Sequence, residues 1–233
     1  MRIRINLLFM AALTALVVAC GGSDTPRAST SDVTAQGPAA TREARAAPTP
    51  APGPALRGDL AVFAAASLTD AFTEIGRAFQ QANPGVKPVF NFAASTALRQ
   101  QIEQGAKADV YASADQAQMD LAKKAGVISG NERVFAKNKL VLIYPTGNPG
   151  KVSTIQDLAK PGLKLVLTDK NVPIGAYARQ ALDTMSKDVQ FGTDFAAKVV
   201  ANLRSEEANV RAVVTKVQLG EADAAIVYAS DVT

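Results

Sequence analysis

The sequence predicts an α/β fold of mainly parallel sheets flanked by helices and divided into two lobes. Between Asp59 and Tyr228, short apolar runs alternate with segments whose apolar residues recur at helical spacing, the order expected of βα units. Two stretches echo each other: "QGAKADVYASAD" (104–115) and "LGEADAAIVYASD" (219–231) each run from a glycine helix stop through Ala-Asp into a strand ending Tyr-Ala-Ser. Between them lies the continuous apolar run "KLVLIYP" (139–145), with polar segments on both sides, which is the candidate crossing from one lobe to the other.

The first strand is "DLAVFAA" (59–65), which reads as buried. The segment 68–83 is an amphipathic helix with Leu68, Phe72, Ile75 and Phe79 on one face, ended by Asn83-Pro84-Gly85. "VKPVFNF" (86–92) is a strand that Pro88 confines to an edge, because proline cannot donate to a ladder. A helix over 96–105 closes at Gly105, a strand occupies 108–113, and a second helix spans 115–126. After the strand 139–145 come a short helix near "TIQDLA", a strand at 163–169, and helices near 175–186 and 191–202. The helix 210–220 leads into the strand 223–228. This divides the folded part into a first lobe, 58–138, and a second, 139–228, with 229–233 beginning a return crossing.

Upstream of Gly58 the character changes. Arg2 and Arg4 precede an apolar run from Ile5 to Ala19, which at fifteen residues is short of the roughly 20 a bilayer span needs. Charge followed by a short apolar run is the pattern of an export signal, here 1–19. The run ends "LVVAC", which resembles a bacterial lipobox, with Cys20 as the lipidated residue. Cys20 is the one cysteine of the chain, so it forms no internal disulfide. Residues 21–57 hold six of the twelve prolines and only Val33 and Leu56 as larger aliphatics. Such a segment buries too little apolar surface to offset its ordering entropy. Residues 20–57 therefore read as a lipidated cysteine and a disordered tether, reaching roughly 35 Å when flexible. The expected location is outside the cytoplasm, periplasmic or at the cell surface, held to a membrane by the lipid.

From residue 58 on, 19 Lys and Arg face 18 Asp and Glu, so the formal +4 of the chain comes mostly from leader and tether. A near-neutral domain gives no support to a nucleic-acid partner. The chain has no histidine and no cysteine after Cys20, which together exclude Ser-His-Asp and Cys-His nucleophile systems, histidine- or cysteine-based zinc sites and the usual haem ligation. Neither phosphate-loop nor dinucleotide glycine motifs occur. No paired carboxylates stand on a recognisable frame, so the chain reads as no enzyme and implies no cofactor or protein-bound metal.

Four helix starts and one hydroxyl remain. Ser67 with Asp70 forms an S-x-x-D capping pattern after the strand "VFAAA". Ser95-Thr96 opens the next helix in the same way. "VPIGAYARQAL" (172–182) leaves the Ile174 and Gly175 amides free at a helix start, and Asn209 caps a helix whose first orphan amide is that of Val210. Tyr228 ends an apolar strand. Singly, each reads as a plain cap or a core tyrosine.

As a set they resemble the periplasmic molybdate-binding proteins of ABC transporters. "FAAASLTDAF", "FAASTALRQQIEQGAKADVYASAD", "VPIGAYARQAL" and "NVRAVVTKVQLGEADAAIVYASD" keep that family's order and spacing from about Asp59 to the C-terminus. The resemblance implies a two-lobed periplasmic-binding-protein type II fold with its ligand cleft between the lobes. It implies a ligand, the tetrahedral oxyanion molybdate or tungstate, held without charged side chains by the hydroxyls of Ser67, Ser95 and Tyr228 and the main-chain amides of Ile174 and Val210. Ile174 stands where the family more usually has Ala, so its side chain has to point away from the anion. The implied partners are the oxyanion and an ABC importer permease, and the implied state is a monomer. Binding of sulfate or another oxyanion on the same fold is the nearest rival, then a carboxylate- or lysine-based enzyme and an adhesion or scaffold module. The family continues well past Tyr228, so the last part of the first lobe, its C-terminal strand and packing helices, is expected to be missing here. That would leave a sheet edge and an apolar face uncovered.

Overall fold

The structure, a computed structural model, describes residues 3–6 and 56–232. Two sheets organise them. The smaller holds β2 (Gly58–Ala65), β3 (Val86–Ala93) and β4 (Val110–Ala112) in the order β3-β2-β4, all parallel. The larger has the order β1-β5-β8-β6-β7, from β1 (Ile3–Asn6), β5 (Leu140–Pro145), β6 (Leu165–Thr168), β7 (Leu203–Glu207) and β8 (Ala224–Tyr228). Strand β6 runs parallel to β7 and β8, whereas β5 is antiparallel to β8 and β1 to β5. The mainly parallel, helix-flanked, two-lobed architecture is therefore present, with β5 reversed where the chain passes from the smaller sheet to the larger. Pro88 sits on β3, which pairs only with β2 and is an edge strand.

The second lobe is a filled sandwich. Along its strands successive residues alternate between two clusters, as a period of two requires. Val141, Ile143, Val166, Ala225 and Val227 pack with Val213, Val214 and Val217 of α6 (Val210–Leu219). Leu142, Leu165, Leu167 and Ile226 pack with Ala178 and Leu182 of α4 (Pro173–Met185), and with Phe195 and Val199 of α5 (Phe195–Ala201). All five residues of β8 are buried, as befits a strand covered on both faces.

The first lobe is thinner. Helices α1 (Thr69–Ala82) and α2 (Ser95–Glu103) link its strands, and α3 (Gln116–Lys124) comes after β4. Its sheet buries Val62, Ala64 and Ala112, with Leu60, Leu68, Phe72, Phe90 and Phe92 only partly covered. The predicted face of α1 needs correcting. Leu68 and Phe72 do pack, but Ile75 is 58% exposed and Phe79 37%. The helix turns a different stripe to the sheet, because buried Gly76 lets the Phe90 ring lie where a Cβ would come within 2.5 Å of it.

Other boundaries also shift. Helix α1 starts at Thr69, preceded by a 3-10 turn over Ala66–Leu68. The helix expected over 191–202 is the shorter α5, since Asp188 and Gly192 close turns before it. Strand β7 is absent from the sequence reading. "LRSEE" carries charges and lies on a sheet edge with alternating half-buried and exposed positions, so it has no apolar run to announce it. Ile3–Asn6, inside the segment read as an export signal, pairs with the free edge of β5. The rest of that segment, Cys20 and the tether up to residue 55 lie outside the described residues.

Candidate functional site

Parallel strands bring the loops and helix starts at their C-terminal ends to one end of a sheet, where ligands of α/β proteins bind. Both sheets do so here, towards one shared cavity. One side of its lining comes from the ends of β2 (Ala65, Ala66, Ser67), β3 (Ala93, Ala94, Ser95) and β4 (Ala114). The other side comes from the starts of α4 (Val172, Pro173, Ile174) and α6 (Asn209, Val210), with Tyr228 at the end of β8. All five residues singled out from the sequence line it. The cavity is small, about 20 Å³. A single water needs roughly 10–15 Å³ on this measure, and drug-sized ligands occupy roughly 300 Å³ or more, so the space suits a small ion. None of the lining side chains carries a charge.

Ser67 does not cap a helix. The residue in the N-cap position of α1 is Leu68, that of the preceding 3-10 turn is Ala65, and neither makes a side-chain cap. The 3-10 turn moves the helix start past Ser67, so the S-x-x-D pattern is not used. The Asp70 carboxylate instead pairs with Arg211. The half-buried Ser67 hydroxyl is left at the cavity wall.

Ser95 is also not a cap. It is the first residue of α2 behind Ala94, and its side chain is 1% exposed. Its Oγ accepts the Ala114 amide at 2.9 Å, and its carbonyl accepts the Tyr111 hydroxyl at 2.9 Å. A hydroxyl that accepts one bond still has its proton to donate. Burial pushes the Tyr111 phenol up to about 12, so it remains a fixed donor behind Ser95.

The α4 start is a close backbone contact. Pro173 takes the first helical position, where a missing N–H costs nothing. A Cβ on Gly175 would collide with the Asp169 carbonyl and lie 2.7 Å from that of Thr168, so only glycine fits. Ile174 lines the cavity from the first turn of this helix, where main-chain amides have no intrahelical partner, while the residue is 2% exposed and packs in the α6-side cluster with Val172, Val210 and Val213. The α6 start behaves as its sequence suggests: Asn209 Oδ1 accepts the Ala212 amide at 3.1 Å, leaving the amide of Val210 as an orphan.

Tyr228 is the informative residue. It is 6% exposed, and its hydroxyl is buried with no hydrogen-bond partner among the described residues. An unpaired buried hydroxyl is costly, on the order of 1–3 kcal/mol. Burial, with the nearby Tyr177, Asp115 and Asp231, raises its pKa, so the phenol is a neutral donor. Asp231 accepts the Tyr228 amide at 3.1 Å, and burial pushes its carboxyl up to about 6.

The sequence missed how the lobes touch around this cavity. Arg211, beside Val210, pairs with Asp70 and donates from Nε to the Ala66 carbonyl at 3.3 Å. Thr96, beside Ser95, donates to the Asn171 carbonyl at 2.6 Å. Partners 75 to 145 residues apart leave no local signal. Among the described residues no group of His, Cys, Asp or Glu could hold a metal ion, and no helix is long and apolar enough to cross a membrane.

A two-lobed molecule with a small cavity between the lobes, lined by uncharged residues, is, as a class, a small-ligand binding protein. The profile of the bacterial extracellular solute-binding proteins matches residues 60–233, and the chain belongs to that family. It is 45% identical over 172 residues to the molybdate-binding protein ModA of Mycobacterium tuberculosis, covering 74% of this chain and 61% of that protein. The chain thus spans about three-fifths of that relative's length. A solved structure described as the substrate binding domain of a putative molybdenum ABC transporter from Clostridium difficile is 32% identical, with a TM-score of 0.50, covering 73% of this chain and 71% of that one. The periplasmic molybdate-binding protein of Azotobacter vinelandii shares the fold at 22% identity, with a TM-score of 0.60, over 72% and 71% of the two chains.

Proposed function

We propose that the protein captures molybdate or tungstate outside the cytoplasm and delivers it to an ABC importer, without catalysing a reaction. The observation that carries this is the buried Tyr228 hydroxyl, which has no hydrogen-bond partner among the described residues and belongs to a cavity lined without any charged side chain. The contacts of the proposed cage are the hydroxyls of Ser67, Ser95 and Tyr228 and the amides of Ile174 and Val210. A dianion stripped of water needs several such bonds, each charge-assisted one contributing roughly 1.5–3 kcal/mol. The starts of α2, α4 and α6 add partial positive charge that does not titrate. The alanines flanking Ser67 and Ser95 let the main chain approach.

A cage of donors also selects. A protonated oxyanion such as hydrogen phosphate brings a proton that would face a donor, which disfavours it. Sulfate carries no proton and is discriminated by size. The molybdate-binding name of the Mycobacterium tuberculosis relative and the molybdenum transporter named for the Clostridium difficile structure support molybdate over sulfate. Titration calorimetry with molybdate, tungstate and sulfate tests the reading: the first two should bind with similar affinity and sulfate at least about tenfold more weakly. Tightest binding of sulfate would favour the rival oxyanion, and no heat with any of the three would overturn the reading.

The remaining assignments are a monomer tethered through a lipid on Cys20, suggested by "LVVAC" and the Pro/Ala-rich segment behind it. Mass spectrometry of the membrane-associated protein should find a lipid-modified Cys20 as its first residue. An unmodified start elsewhere would remove the anchor.

A further inference from the structure

Two ties cross between the lobes beside the cavity, and neither includes a proposed anion contact. In the first, Arg211 in the first turn of α6 reaches to the first lobe. Its Nη2 pairs with the Asp70 carboxylate and its Nε donates to the Ala66 carbonyl. That carbonyl is held in place by the Thr69 hydroxyl, which donates to it at 2.7 Å. On its own lobe the Arg211 charge acts on Asp231, whose carboxylate holds the Tyr228 amide. In the second tie, Thr96 Oγ1 donates to the Asn171 carbonyl. Each tie starts one residue from a cavity-lining position: 211 beside 210, and 96 beside 95.

We propose that Arg211 and Asp70 form a closure clasp, positioning residues that set oxyanion affinity by holding the lobes shut. The inference rests on the binding reading above for its affinity arm. A ligand that binds only the closed form sees its affinity reduced by the fraction of molecules that are closed. An exposed ion pair contributes little to global stability. It does bias a closure equilibrium, because the pair exists in only one of the two states. With an Asp70 side chain 80% exposed, its removal leaves the fold intact.

The sign of one substitution separates the clasp from simple electrostatics. Asp70 is a negative charge near an anion site, so through charge alone Asp70→Asn would tighten binding. Through the clasp it weakens it. We expect Asp70→Asn and Arg211→Gln each to weaken molybdate binding about two- to fivefold through faster release, with the double variant no weaker than the worse single one. Arg211→Lys should recover part of the loss, since an ammonium reaches the carboxylate but lacks the fork that also serves the Ala66 carbonyl. Thr96→Val should act in the same direction. Solution scattering of the ligand-free chain should find a larger radius of gyration for Asp70→Asn than for the wild type. Unchanged or tighter binding by Asp70→Asn overturns the clasp. If the wild type binds no oxyanion, the functional reading falls, and scattering alone judges the clasp: equal radii overturn it and an expanded variant sustains it.

Discussion

Both lobes line the cavity, but they contribute unequally to the core. In the second lobe both faces of the sheet are covered, and Leu165, Leu167, Val199, Val213, Val217 and Val227 are fully buried. In the first, Val62 and Leu98 are the largest fully or nearly buried side chains and most of the rest are alanines. Ile75, Val89, Val134 and Phe135 stand largely exposed there. Yet the first lobe supplies Ser67 and Ser95. Small residues serve close approach of the main chain to an ion, and the same smallness deprives the lobe of burial at about 25 cal/mol per Å². Site and core make opposite demands on the first lobe. In the proposed cage the second escapes the conflict, because Ile174 and Val210 would contribute main-chain amides while their side chains remain in its core.

The largest test of this contrast is a core truncation in each lobe. Leu167→Ala in the second lobe should cost about 2–5 kcal/mol in denaturant unfolding. Val62→Ala in the first should cost about 1.5 kcal/mol, at roughly 0.8 per methyl. Equal losses would remove the asymmetry.

Removing site hydroxyls sharpens it further. Tyr228→Phe deletes a buried hydroxyl that the fold does not use, so ligand-free stability should hold or rise while molybdate affinity falls by about 1.5–3 kcal/mol. Ser67→Ala should behave alike, because Ser67 caps nothing. Ser95→Ala should lose both, since the half-buried Ala114 amide would lose its acceptor. Calorimetric titration beside thermal melting separates the three.

A pH effect belongs to the turn that follows β8 of the second lobe. The Asp231 carboxyl titrates at about 6 in the folded chain against 3.8 ordinarily, chiefly because burial disfavours its charge. The folded state therefore holds this proton more tightly than the unfolded one. The stability it contributes is fully present below about pH 4 and is lost as pH rises through about 6. Asp231→Asn should flatten stability over that window and raise it at pH 7 on the order of 1–3 kcal/mol. A variant with an unaltered pH profile would assign the effect to another group.

The smallest effect lies on the exposed side of α1. Ile75→Ser, at a position 58% exposed, should change stability by less than about 0.5 kcal/mol. A larger loss would mean that this face is covered in solution.

Much of this was readable from local chemistry. Apolar runs of β2, β5, β6 and β8, the Asn209 cap and the proline-glycine start of α4 are properties of neighbouring residues, so a linear reading finds them. The five candidate contacts were legible as helix starts and a strand end, and as a set only through family resemblance. Contacts between distant residues needed the folded chain. The 3-10 turn that frees Ser67 from capping, the first-turn place of Ser95 and the edge position of β7 depend on what the neighbouring strands allow. Whether α1 faces the sheet with Ile75 or with Gly76 was decided by the Phe90 ring, from another strand. The clasp of Arg211 on Asp70 joins residues 141 apart. Periodicity encodes which face of an element is apolar, and only packing decides which partner that face meets.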